Sequence, residues 1–124
     1  APTERLHERV ARLAAGWGPG GTVGLVVGAT APDELAAIRT IAAGLPFLVP
    51  GVGAQGGDID GVLANGPATA SPGVGVAAGG LLVNVSRGIA AAALAGPDDG
   101  PRRDPGELLA TAAAEWAARL PVLP

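Results

Sequence analysis

The chain has no cysteine, no lysine, a single histidine and no long apolar run. Without cysteine there is no disulfide framework and no thiolate chemistry, and one histidine alone leaves a structural zinc site short of its usual ligands. Positive charge is scarce. With no lysine, eight arginines face 11 acidic residues, giving a net charge of -3. Nothing therefore reads as a polybasic surface for nucleic acid or membrane, and any anion site must be local. The longest apolar stretch, around Ile89 to Leu94, is far shorter than the roughly 18 residues of a transmembrane helix. No charged-then-apolar signal segment opens the chain. These features predict a cytoplasmic protein, and a first residue that is Ala1 rather than Met suggests a processed, truncated or excised chain.

Small side chains dominate what is present: 21 glycines, 12 prolines and 27 alanines in 124 residues. A hydrophobic share of 48% and a mean hydropathy of +0.40 argue against a disordered tail. The expectation is one modest domain with a thin core, because each buried alanine removes little area from water.

Leu6, Val10, Leu13 and Trp17 recur at helical spacing and predict a first helix with one buried stripe. Thr22 to Val27 is a short β-branched run that suits a strand covered on both faces. A second helix, capped by Thr30 or Asp33, carries Leu35, Ile38 and Ile41 and stops at Gly44 and Pro46. Phe47 to Val49 is a second strand, and a brief helix with Ile59, Val62 and Leu63 follows. Residues 66–80 carry no assignable period. Leu81 to Val85 is the third strand, followed at once by Ser86-Arg87-Gly88. After a turn-rich stretch from Gly96 to Arg103, Asp104, Pro105 and Glu107 form a capping-box start to a last helix burying Leu109, Ala112, Trp116 and Leu120. Strands alternating with helices imply right-handed crossovers and a parallel sheet.

Each cluster of interest falls at the carboxyl end of a strand: Gly28-Ala29-Thr30, the loop from Pro50 to Asp58, and Asn84 through Gly88. Ligands of parallel α/β sheets bind at that end, and barrels often hold phosphate after their last strands. The four glycines Gly51, Gly53, Gly56 and Gly57 can let backbone N–H groups approach an anion, and Gln55 adds a carboxamide donor. Arg87 offers a planar fork for phosphate oxygens. Read singly, the glycines make a tight turn, Gln55 caps a helix and Arg87 is a surface arginine; together, after successive strands, they favour a phosphate cup.

Val26-Val27-Gly28-Ala29-Thr30, Pro50-Gly51-Val52-Gly53-Ala54-Gln55-Gly56-Gly57-Asp58 and Asn84-Val85-Ser86-Arg87-Gly88-Ile89 together resemble the last three strand ends of the orotidine 5'-phosphate decarboxylases, in the bacterial branch with an Asn-x-Ser-Arg ending. The resemblance runs over nearly all of residues 1–124. It implies a partial (β/α)8 TIM barrel, the C-terminal half, whose parallel strands are the last three with their helices. It further implies that Gln55 lies on a loop that closes over substrate, that Arg87 binds the phosphate, that Ser86 and Gly88 border it, and that Pro50 opens the closing loop. The implied activity is conversion of orotidine 5'-phosphate to UMP and CO2 in de novo pyrimidine synthesis, without a cofactor and with a homodimer as the full-length form.

The family's proton donor is a lysine flanked by aspartates in an earlier strand, and this chain has no lysine. Arginine cannot replace it, since its pKa is too high to donate a proton readily. A complete barrel needs about 250 residues, so the isolated chain is expected to be inactive. Two other readings stay open at this point: another phosphate-binding barrel, such as a sugar-phosphate lyase or synthase, and a phosphate-binding or interaction module that completes a barrel with a separate N-terminal half.

The remaining polar residues read as structural. His7 is placed on the solvated side of the first helix, Asp58 and Asp60 at the start of a short helix whose dipole they complement, and Trp17 and Trp116 in apolar packing. Asp98, Asp99, Arg102 and Arg103 read as a solvated loop.

Overall fold

The computed structural model describes residues 3–70, 79–94 and 103–120. Its elements run α1 (Leu6–Ala14), β1 (Leu25–Val26), α2 (Pro32–Ile41), β2 (Phe47–Val49), α3 (Ile59–Asn65), β3 (Leu81–Val83), α4 (Arg87–Ala90), a 3-10 turn (Ala91–Leu94) and α5 (Pro105–Ala118). The expected alternation is present. The three strands form one parallel sheet in the order β1-β2-β3, with Leu25 beside Phe47 and Phe47 beside Leu81.

The core forms where the sheet meets its helices. Phe47 and Val49 of β2 are fully buried with Leu35 of α2 and Val62 of α3. Alternation along β2 leaves Leu48, between them, facing the other way and exposed. Pro32 at the first turn starts α2 on Ala31, so neither Thr30 nor Asp33 caps it as expected. Asp58 caps α3 by accepting from the Gly61 N–H at 2.9 Å. Asp104 does the same for α5, accepting from the Glu107 N–H at 3.0 Å, with Pro105 next in line.

Three packing expectations need correction. The α1 stripe is not buried: Leu6, Val10 and Leu13 are 78%, 46% and 53% exposed, while Ala11 and Ala14 face the core. These small side chains let α1 lie close to its neighbour α2. Trp17 lies beyond the end of α1 and is 58% exposed, so it is not a core residue. Leu109 of α5 is likewise exposed, whereas Ala112 is buried and Trp116 and Leu120 pack on the core.

β1 is shorter than the expected Thr22–Val27 strand and, among the described residues, has a sheet partner on one side only. Val26 is 71% exposed, so this strand is not covered on both faces, and as the first of the order β1-β2-β3 it also presents an open edge among the described residues. Between α1 and this edge lies an apolar groove of about 430 Å³ lined by Leu6, His7, Val10, Leu25, Val26 and Ile38 among others. His7 thus belongs to the groove and not to a solvated helix face. Its Nε2 is buried without a hydrogen-bond partner among the described residues.

Candidate functional site

Parallel pairing carries the carboxyl ends of β1, β2 and β3 to one rim. The ladder extends into the loops there, as the Ala29 N–H donates to the Pro50 carbonyl at 2.9 Å and the Asn84 N–H to the Val49 carbonyl at 3.0 Å. The three segments singled out in the sequence therefore emerge side by side.

The middle loop is held by its own backbone. The Gly53 N–H donates to the Gly57 carbonyl, the Gly56 N–H to the Gly53 carbonyl and the Gly57 N–H to the Gly51 carbonyl, at 2.8–2.9 Å. Gly51 and Gly53 sit at φ +96° and +81°, a region that side chains other than glycine's rarely allow. Gly57 answers a different need. A Cβ there would collide with the Gly51 carbonyl and stand 2.6 Å from the Ala29 Cβ, so glycine lets the middle loop close on itself and on the first. All four glycines considered for anion contact lie in this loop, and the N–H groups of three of them, Gly53, Gly56 and Gly57, are spent on the loop's shape.

Gln55 is exposed, and its Oε1 lies 3.2 Å from the position a Cβ on Gly51 would take. The carboxamide folds back over its own loop. Since Asp58 fills the cap of α3, Gln55 is not needed there. Pro50 is half-buried at the base of the loop.

Arg87 opens α4 and is exposed, with Ser86 at the cap position making no side-chain cap bond. Arg87 takes part in neither of the ion pairs found among the described residues, Arg5–Glu34 and Arg12–Glu4. Gly88 is half-buried beneath the ring of Trp116, where a Cβ would stand 2.8 Å from the ring's Cζ2. The same ring reaches the middle loop: a Cβ on Gly53 would stand 3.1 Å from its Cη2. Trp116 is thus wedged between the two loops, a role its helical spacing, which reported only an apolar face, did not reveal.

Among the described residues no group of three or more His, Asp or Glu side chains could hold a metal ion. Asp98, Asp99 and Arg102 lie outside the described residues, and Arg103 is exposed.

No protein-family model matches the chain. It is 50% identical over 121 residues to an orotidine 5'-phosphate decarboxylase of Haloarcula marismortui, covering 97% of this chain and 39% of that protein. It is 52% identical over 87 residues to another of Azoarcus sp., covering 69% of this chain and 30% of that one. Its fold is similar to a Leishmania donovani UMP synthase (TM-score 0.64, 38% identity, 98% of this chain and 24% of that one). It is also similar to the OMP decarboxylase of the same organism (TM-score 0.61, 37% identity, 96% and 40%). The chain spans well under half the length of these relatives. It is homologous to part of the orotidine 5'-phosphate decarboxylases, and its three parallel strands with their helices match part of the barrel of those relatives.

Proposed function

We propose that this chain is the phosphate-gripping portion of an orotidine 5'-phosphate decarboxylase. The observation that carries the reading is the convergence at one rim of the Gln55 loop and the Arg87 turn, both against the ring of Trp116. Arg87 supplies two parallel N–H donors to phosphate oxygens, Gln55 adds its carboxamide N–H from the closing loop between Pro50 and Asp58, and Ser86 and the backbone at Gly88 border the anion. The phosphate is remote from the bond that breaks. Its binding free energy stabilises loop closure and, through it, the transition state at the pyrimidine.

The chemical step needs a group this chain does not have. Loss of CO2 leaves an electron pair on the ring carbon, and that carbanion takes a proton from an acid. Arginine holds its proton too tightly for this role, and there is no lysine among the 124 residues. The acid therefore comes from polypeptide beyond these residues, which docks along the open edge of β1 and fills the groove beside His7. The whole enzyme works in the cytoplasm as a homodimer on a small nucleotide. Among the described residues no helix is long and apolar enough to cross a membrane.

The test mixes the chain with a lysine-bearing remainder of the barrel from a relative and measures UMP formation. Activity that appears only in the mixture, and that Arg87→Ala removes, supports the proposal. UMP formed by the purified chain alone overturns the division of labour. The open β1 edge also suits an interaction module with no decarboxylase role, and a mixture that assembles but stays inactive favours that second reading.

A further inference from the structure

We propose that Trp116 is a positioning residue for the phosphate site, the spacer that sets the distance between the Gln55 loop and the Arg87 turn. This rests on the phosphate-binding reading above. The indole is half-buried, and its Cζ2 and Cη2 edge faces both loops at once, toward Gly53 on one side and Gly88 on the other. Each loop meets it with a residue that has no side chain. At Gly88 a Cβ would stand 2.8 Å from Cζ2 and 3.1 Å from Cε2; at Gly53 it would stand 3.1 Å from Cη2 and 3.4 Å from Cζ2.

Two glycines from different loops leaving room for one ring edge means that the ring, not a loop side chain, sets the spacing. A cation lies over the face of the ring. The Arg119 guanidinium carbon lies 4.8 Å from its centroid, within the range of a cation–π contact, and Arg119 is the residue that ends α5. Trp116 itself lies in the last turn of the 14-residue helix that Asp104 caps. The spacer is therefore mounted on a rigid element while the gripping groups sit on loops, the arrangement that pre-organises a site.

Arg87 and Gly88 are chain neighbours, so a shift of the Gly88 backbone moves the guanidinium with it. Gln55 lies two residues beyond Gly53 in a loop locked by its own backbone bonds. Removing the ring lets the two loops settle toward each other, and the donors no longer match a tetrahedral phosphate. Affinity then falls although Trp116 touches no ligand atom.

The experiment uses the full chain carrying Trp17→Phe, so that Trp116 is the sole indole, with UMP and inorganic phosphate as probes. In this parent, saturating UMP should change the Trp116 emission. Trp116→Ala should weaken UMP binding by about ten-fold or more, equivalent to about 1.4 kcal/mol, with an unchanged far-UV spectrum, while Trp116→Phe stays close to the parent. Gly88→Ala, which keeps the indole but wedges a methyl group against its edge, should weaken UMP binding alone but add little on top of Trp116→Ala. Its effect stands as the test if the alanine variant fails to fold. UMP binding undiminished in Trp116→Ala, or in Gly88→Ala if the former does not fold, overturns the spacer while leaving the phosphate site standing. A parent that binds neither UMP nor phosphate overturns both.

Discussion

The guanidinium carbon of Arg39 lies 3.5 Å from the ring centroid of Phe47. Arg39 is only 6% exposed, and its two terminal nitrogens donate to the carbonyls of Leu45 at 2.8 Å, Gly80 at 3.2 Å and Gly66 at 3.4 Å. These carbonyls precede β2, precede β3 and follow α3, at the rim opposite the candidate site. One cation thus ties the end of α3 to the starts of β2 and β3, which the Phe47 N–H to Gly80 carbonyl bond of 2.8 Å already joins to each other. Burial lowers the Arg39 pKa through desolvation, so the charge itself opposes folding and the carbonyls and the aromatic face offset that cost.

Arg39→Ala should be the most damaging single change outside the site. Hydrogen bonds to a charged group are each worth about 1.5–3 kcal/mol, and the carbonyls of Leu45, Gly66 and Gly80 lose this donor together, that of Gly80 keeping the Phe47 N–H. Urea unfolding should show a loss of about 3 kcal/mol or more. Arg39→Lys should recover only part of it, since an ammonium cannot reach three carbonyls in one plane.

Gly57 and Gly28 make a matched pair. A Cβ at Gly57 would run into the Gly51 carbonyl and Ala29, whereas one at Gly28 meets nothing within 4 Å. Gly57→Ala should cost about 1–3 kcal/mol as overpacking strain and open the middle loop to amide hydrogen exchange. Gly28→Ala should lie within about 0.5 kcal/mol of the parent, as surface changes usually do.

Arg87→Ala should weaken UMP binding by about ten-fold to a hundred-fold, the worth of one charge-assisted interaction of about 1.5–3 kcal/mol. Because Arg87 is exposed, the parent's affinity should also fall as salt is raised, and the variant's salt dependence should be shallower. Calorimetric titration of both proteins at two ionic strengths measures each effect.

The edge of β1 predicts self-association of the isolated chain. Val26 is largely exposed on a strand with an open side, and such edges template pairing. Sedimentation velocity should show mass rising with concentration, and Val26→Lys should reduce it. A monomer over the whole concentration range would remove the edge from this role.

The strand positions and the start of α5 were legible because a short apolar run bounded by glycine or proline, or Asp-Pro before a helix, has one dominant local meaning. The gathering of the Gln55 and Arg87 loops at one rim followed from the parallel connection alone. The buried face of α1 did not, because periodicity reports which side is apolar and not what covers it: Ala11 and Ala14 met the core while Leu6 and Val10 met the open groove. Arg39 was illegible for a similar reason. A charged residue in a helix reads as solvated until the carbonyls that receive it come from 6 to 41 residues away. Trp116 and the two glycines it separates are far apart in the chain, and no local pattern connects them.

The glycine-rich loop has already matched its own N–H groups to its own carbonyls at Gly51, Gly53 and Gly57. Its internal conformational entropy is consequently surrendered when the chain folds, so that a closing movement carries the loop as one piece. Capture by such a loop resembles the fall of a latch more than the coiling of a rope.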